Sequence, residues 1–202
     1  MKKAKSLVII LMCAIVLATL VGCGGTGIIK TENWDDMQMT IGGKKITFPS
    51  TYSDMQECFV ISDTDTKIPA HSFECISVYP VGTSQEEWVE CHVYVYNPFD
   101  EMVEDIKDCY VFGFYGNLDV VTYKTQMDIS LPCGISYGTY IEDTEEVYGN
   151  RTTGEDILER DDYKWTFETD TKKLAVGTES TYMVINCIEY KVDLESCDFY
   201  VE

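Results

Sequence analysis

The chain has 202 residues, and its 35 acidic and 15 basic side chains give a formal net charge of −20 and a sequence pI near 4.3. Such acidity excludes DNA and RNA as partners, because binding to phosphates needs a basic surface, and it disfavours electrostatic docking on anionic lipid. The apolar fraction of 45% is typical of a folded chain and excludes a disordered acidic tail.

The first 22 residues predict a bacterial signal peptide. Lys2, Lys3 and Lys5 form a positive n-region, and residues 7–21 form an apolar run of 15 residues interrupted only by Thr19. A helix of that length spans roughly 22 Å, short of the ~30 Å hydrocarbon core of a bilayer. A secretion signal is therefore favoured over a permanent membrane span.

The apolar run ends in Leu20-Val21-Gly22-Cys23, which resembles the lipobox of bacterial lipoproteins. The resemblance implies that the Cys23 thiol carries a diacylglyceryl group and becomes the first residue after cleavage. We expect residues 1–22 to be removed and residues 23–36 to form a flexible, glycine-containing tether. The expected location is the cell membrane, facing outside the cytoplasm, with the lipid on Cys23 as a stable two-chain anchor.

Residues 37–126 predict a mainly-β N-terminal domain. Alternating apolar and polar residues on either side of Gly42-Gly43 predict a hairpin that Pro49 ends. A short helix is expected to start near Thr51 or Ser53, where Ser53 and Gln56 make a capping box, and to run to about Cys58. Strands are predicted at 58–61, 72–81, 87–96 and 109–115, with 120–123 as an edge strand.

Residues 127–202 predict an α+β C-terminal domain that repeats this order. Another apolar-polar-apolar-Pro segment leads to a helix, with a capping box at Thr139 and Glu142 and a terminating Gly149. Strands are predicted at 163–169, 181–190 and 198–201. The expected fold class is α+β, with antiparallel sheets that each carry one short helix. Two tandem small domains would account for the repeated order of elements.

The second half also carries a family resemblance. The sequences LPCGISYGT at 131–139 and EEVYG at 145–149 resemble a motif of small exported bacterial domains. The layout is similar to β-lactamase-inhibitory-protein-like domains and small outer-membrane-assembly lipoprotein domains, over 127–202 and more faintly over 37–124. With Gly-Gly-Lys early in the chain, it resembles surface lipoproteins of Gram-positive type still more closely, although Asn150 replaces the proline often found there. The resemblance implies a non-enzymatic binding domain and names no ligand.

Seven cysteines follow Cys23, at positions 58, 75, 91, 109, 133, 187 and 197. Because seven is odd, at least one is expected to lie outside any intramolecular disulfide. No pair has the Cys-x-x-Cys spacing of a thioredoxin motif or a zinc ribbon. Buried thiols and one to three disulfides are both compatible with the sequence, and several of the cysteines alternate with apolar residues as small hydrophobic residues do.

The chain has only two histidines, His71 and His92. Neighbours in a strand point to opposite faces, so Cys91 and His92 are not expected to form a catalytic pair. No motif marks a cofactor or metal site, and we expect neither. A hydrolase would need a nucleophile within hydrogen-bond reach of one of the two imidazoles.

The strand predicted at 87–96 carries the candidate binding surface. Alternation places Val89, Cys91, Val93 and Val95 on an apolar face, which is interpreted as core. The opposite face carries the candidate contact residues Trp88, His92, Tyr94 and Tyr96. Glu90 on the same face favours exposure, and aromatic side chains supply much of the energy of contact surfaces. The alternative is that both faces are covered and that the aromatic residues simply favour strands.

These features predict a membrane-anchored extracytoplasmic lipoprotein that acts as a non-enzymatic module binding an unidentified protein or glycan. An extracytoplasmic hydrolase and an envelope structural or assembly factor are the alternatives.

Overall fold

The structure is a computed structural model that describes residues 33–62, 66–81, 90–117, 128–150, 153–157, 162–179 and 184–201. The predictions for the signal peptide, for lipidation of Cys23, for Trp88 and for a strand at 120–123 lie outside these residues. The tether predicted over 23–36 is too long at its C-terminal end. Trp34–Asp36 form a 3-10 helix, and the Trp34 side chain is buried against Phe167.

The described chain is mostly β-strand, with two short α-helices. The first half contains β1 (Gln38–Ile41), β2 (Lys44–Thr47), β3 (Ser50–Thr51), helix α1 (Tyr52–Met55), β4 (Phe59–Ile61), β5 (Phe73–Pro80), β6 (Glu90–Tyr96) and β7 (Tyr110–Asn117). The second half contains β8 (Ile129–Ser130), helix α2 (Ile141–Tyr148), β9 (Thr153–Ile157), β10 (Asp162–Glu168), β11 (Lys172–Glu179) and β12 (Ile185–Val192). Further 3-10 helices lie at Ile106–Asp108, Pro132–Gly134 and Leu194–Ser196.

The strands form two antiparallel sheets. The large sheet has the order β4-β5-β6-β7-β12-β11-β10-β9, with β3 also paired to β7, and the small sheet has the order β2-β1-β8. The predicted α+β class, with antiparallel sheets and few short helices, is confirmed.

The two halves share both sheets. Strands β4–β7 and β9–β12 each form a four-stranded meander, and the meanders meet where β7 pairs with β12, with Ile188 opposite Gly116. The small sheet likewise joins β1 to β8. The predicted boundary between 126 and 127 lies outside the described residues. However, Glu32–Glu202 form one compact unit, so the two halves do not have separate cores.

Local sequence signals explain several element ends. Gly42 and Gly43 have positive φ angles of 57° and 76°, as a tight turn between β1 and β2 requires, and the predicted hairpin forms. Gly149, at φ 89°, ends α2 where predicted. The two predicted capping boxes do not form. Helix α1 starts after Thr51, and α2 starts after Tyr140, because the Thr139 hydroxyl accepts a bond from the Ser136 amide instead.

The core lies on one face of the large sheet, called here the inner face. Its buried residues include Ile76, Val78, Cys91, Val93, Val95, Phe114, Leu174, Val176, Ile188 and Tyr190. The small sheet and α2 cover this face, through ring contacts of Phe48 with Tyr190 and of Tyr148 with Phe167. Side chains at the alternate positions therefore point to the opposite face, called here the outer face.

Candidate functional site

Aromatic rings of three adjacent strands converge on the outer face of the first half. This aromatic patch consists of Phe73 from β5, His92 and Tyr94 from β6, and Phe112 and Tyr115 from β7. Phe112 contacts Phe73 and Tyr94, with ring centroids 6.0 and 5.8 Å away, and the His92 and Tyr115 rings are 5.8 Å apart. Phe73 is 58% exposed, so the patch presents a large apolar side chain to solvent.

Two of the four predicted contact residues lie in this patch. His92 and Tyr94 are half-buried on the outer face, while Trp88 lies outside the described residues. Tyr96 shares their face but is fully buried, which corrects the prediction that it belongs to an exposed surface. Phe73, Phe112 and Tyr115 were not predicted as contact residues.

The segment 197–201 is the reason that Tyr96 is buried. The Tyr96 ring lies 5.9 and 5.7 Å from the rings of Phe199 and Tyr200, and Phe199 also stacks on Tyr110 at 3.9 Å. The Tyr96 hydroxyl donates to the Val201 carbonyl (3.3 Å) and accepts from the Val201 amide (3.1 Å). The outer face is therefore covered at Tyr96 and Tyr110, whereas Phe73, opposite Tyr96 on the β5 side, stays exposed, and His92 and Tyr115 lie farther along the strands.

A charged group continues the outer face into the second half. This lysine–glutamate cluster consists of Lys164 on β10, Lys173 on β11, and Glu189 and Lys191 on β12. The Glu189 carboxylate lies 3.1 Å from the Lys191 ammonium and 3.5 Å from the Lys164 ammonium. The Tyr94 hydroxyl donates to Glu189 at 3.3 Å, and Lys191 lies 5.6 Å from the centre of the Tyr94 ring. The cluster and the aromatic patch are thus in direct contact.

Small residues explain how these long side chains reach one another. Gly113 pairs with both Tyr94 and Lys191, and a Cβ atom added to it would lie 2.6 Å from the Lys191 Cβ. Gly177 pairs with Lys164 and therefore lies between β10 and β12. Because Gly113 has no side chain, the Lys191 Cβ can lie close against the β7 backbone.

The charge balance of the cluster is set by burial and proximity. Burial raises the pKa of Glu189, but the ammonium groups of Lys191, Lys164 and Lys173 outweigh it and hold the pKa below its ordinary value. Burial and the Glu189 carboxylate raise the pKa of Tyr94, so the phenol stays protonated. Glu168 on β10 lies opposite Lys173, so a second carboxylate on the same face offsets the charge of the cluster's lysines.

The outer face also places a hydroxyl beside one imidazole. Ser77 is opposite His92, and its Oγ lies 3.2 Å from the His92 Nδ1. The other imidazole lies in a separate loop, where the His71 Nε2 is 2.9 Å from a carboxylate oxygen of the exposed Asp100. The expected separation of His92 from Cys91 is confirmed, because Cys91 is buried on the inner face.

The described cysteines are all thiols rather than disulfides. Cys75 is exposed on the outer face, opposite Tyr94. Cys109 is fully buried, and burial together with the charges of Asp108 and Asp105 raises its pKa to about 11. The described thiols therefore differ widely in accessibility.

Within the described ranges, no three His, Cys, Asp or Glu side chains are arranged to hold a metal ion. The same part of the chain contains no helix that is long and apolar enough to span a membrane.

Comparison with protein-family models, curated proteins and solved structures found no significant match. A proposal about function therefore depends on the lipobox-like sequence and on the geometry of the outer face.

Proposed function

We propose that the protein is a membrane-anchored extracytoplasmic module that binds a partner through the open part of its outer face. The observation that carries the proposal is the aromatic patch, which lies opposite the core and keeps Phe73 58% exposed. The lipobox-like sequence at Cys23 supports the anchor, and it points to a partner outside the cytoplasm.

Part of the aromatic patch is exposed, although the inner face already buries a full set of apolar residues against the small sheet and α2. Phe112 is buried within the patch, whereas Phe73 beside it stays exposed. Val60 on β4, opposite Tyr79, is a second exposed apolar side chain on the outer face, at the other end of β5 from Phe73. Exposed apolar side chains grouped on one face are typical of interaction sites, and aromatic side chains dominate contact energies.

Photo-crosslinking in cells tests the proposal. A photoreactive phenylalanine analogue is placed at Phe73 or, as a matched control, at Tyr140, which is similarly exposed (61%) but lies at the start of α2. We expect a discrete crosslinked species from position 73 that Tyr115→Ala weakens, and none from position 140. Equal crosslinking at both positions, or none at position 73, would contradict the proposal.

The Ser77–His92 pair supports a second candidate function, an extracytoplasmic hydrolase. The 3.2 Å separation is within the range for a nucleophile and a general base. However, Ser77 lies in the middle of β5, a strand paired on both sides. Backbone amides in such a strand are engaged in the sheet and are poorly placed to stabilise an oxyanion.

An activated-ester assay separates the two functions. Hydrolysis of p-nitrophenyl acetate is measured for the wild type, Ser77→Ala and His92→Gln. The binding-module proposal expects equal, background rates for all three. A wild-type rate that both substitutions abolish would favour the hydrolase.

A further inference from the structure

We propose that the segment 197–201 is an internal competitor for the partner, and that the partner is a protein presenting two neighbouring aromatic side chains. Binding displaces the segment from Tyr96 and Tyr110, so that the partner contacts these two rings as well as Phe73. This inference rests on the proposed binding function, and it adds the chemistry of the partner and the competition that controls its access.

The covered and open parts of the outer face form one aromatic surface. In the register of the large sheet, Phe73 lies opposite Tyr96, and Tyr96 lies opposite Tyr110. Phe73 is largely exposed, while Tyr96 beside it is fully buried. A partner bound on Phe73 therefore lies at the edge of the segment 197–201, and it must either stop there or displace the segment.

The segment is held on the sheet by contacts that another protein can replace. Residues 197–201 form no strand, and a hydrogen bond donated by the Tyr200 amide closes a tight turn within them. The hydrogen bonds of the segment to β6 run through the Tyr96 hydroxyl, which donates to the Val201 carbonyl and accepts from the Val201 amide. Phe199 and Tyr200 are only half-buried, and Val201 is exposed. Such a segment can open locally while the strand pairs of the large sheet stay intact.

The same contacts indicate which kind of partner fits. Phe199 stacks on Tyr110, with ring centroids 3.9 Å apart and ring planes 3° from parallel, while the Tyr200 ring lies 5.7 Å from the Tyr96 ring. Two neighbouring aromatic side chains therefore fit the covered rings. A partner with such a pair also gains contact with Phe73, which the chain's own segment leaves exposed. This additional contact favours displacement, because a ligand shifts an equilibrium only through a difference in affinity for the two states.

Fluorescence anisotropy tests whether the covered rings accept such a segment from another molecule. A fluorescein-labelled peptide of residues 193–202, with Cys197→Ser to prevent oxidation, is titrated into the full-length protein in phosphatidylcholine nanodiscs. The released variant Phe199→Ala/Tyr200→Ala should bind the peptide saturably. The wild type should bind it about five- to tenfold more weakly, because its own segment occupies the rings in most molecules.

Two outcomes of this titration would overturn the proposal. One is that the released variant does not bind the peptide, and the other is that the wild type binds it equally well. A matched peptide with alanine at both aromatic positions should not bind either protein. Equal binding of this peptide would show that the aromatic pair is not what is recognised.

Crosslinking at position 73 tests the competition in cells. Val201→Pro removes the amide that donates to Tyr96 but leaves every aromatic ring in place, so it provides a milder release than Phe199→Ala/Tyr200→Ala. Both variants should raise the yield of the crosslinked species by about threefold or more, since a larger fraction of molecules is competent to bind. The control Asp198→Asn, at an exposed position of the same segment, should leave the yield unchanged.

The two proposals fail in different ways. If the wild type gives a crosslinked species at position 73 and neither released variant raises its yield, the partner binds only the open part of the outer face, and the inference alone is wrong. If the wild type gives no such species, the proposed function is wrong, whatever the peptide binds.

Discussion

Tyr94 and Tyr96 are two residues apart on β6 and point to the same face, yet Tyr96 is fully buried and Tyr94 is half-buried. The strand does not make this difference. The segment 197–201 covers Tyr96 and Tyr110, whereas Tyr94 faces the open aromatic patch and the lysine–glutamate cluster. The comparison shows that the same kind of residue on one face of a sheet serves as core or as surface according to what a distant segment covers.

The largest expected loss of stability is at Tyr96, which the segment 197–201 covers. Tyr96→Ala should lower the free energy of unfolding by about 3–5 kcal/mol, because it removes a buried ring and both hydrogen bonds to Val201. Tyr94→Ala should cost about half as much or less, since its ring is partly exposed. Urea unfolding followed by circular dichroism measures both losses. Equal losses would contradict the distinction between the buried Tyr96 and the half-buried Tyr94.

Weakening the contacts of the segment 197–201 should lower stability by a smaller amount. Phe199→Ala removes the ring stacked on Tyr110, and we expect a loss of about 1–2 kcal/mol in unfolding free energy. Hydrogen exchange at the backbone amide of Val201 should become faster. The exposed Phe73 provides the control, because Phe73→Ala should change neither quantity by a comparable amount.

Acid titration tests the ion pairs of Glu189, which lies next to the half-buried Tyr94. The pKa of Glu189 is lowered in the folded protein, so its ion pairs stabilise the fold at pH values above the ordinary carboxyl pKa. This contribution, about 1 kcal/mol for a partly exposed pair, is lost as pH falls through the lowered value. The difference in unfolding free energy between wild type and Glu189→Gln should therefore shrink between pH 7 and pH 3. A difference that is constant with pH would contradict this assignment.

The smallest effect on stability is expected from thiol modification. Cys75 is exposed opposite Tyr94, whereas Cys109 is buried beside Tyr110 with a pKa of about 11. In the native protein at pH 7.5 (about one unit below the ordinary thiol pKa), iodoacetamide should modify Cys75 well before Cys109, with little change in melting temperature. Peptide mass mapping measures the order in which the two thiols are modified. Equal rates would show that the region around Cys109 opens readily.

Short-range sequence patterns predicted much of this fold. Gly42-Gly43 identified the β1–β2 hairpin, Gly149 identified the end of α2, and alternation assigned the two faces of residues 90–96. Each of these depends on chemistry within a few residues. The α+β class could be predicted for the same reason.

Long-range packing explains what was not predicted. The sequence 198–201 contains the aromatic and β-branched residues that favour strands, but no strand forms there, and its aromatic residues lie on the face of β6 instead. Strand β11 was not predicted because Leu174, Ala175 and Val176 are buried in succession, which removes the alternating signal. The lysine–glutamate cluster combines residues of three strands, so it becomes visible only when the register of β10, β11 and β12 is known.

The junction between β7 and β12 also affects how the chain can fold. Asn117 pairs with Cys187, so the centre of the large sheet joins residues that are far apart in sequence, and β12 is the last strand described. Pairing between distant segments is slow, because the intervening chain must be ordered before the contacts can form. Until β12 has docked, β7 and β11 each have an unpaired edge that can associate with other chains. The chain must therefore be synthesised as far as Val192 before the large sheet can close, and the contact between Tyr94 and Glu189 can form only after that step.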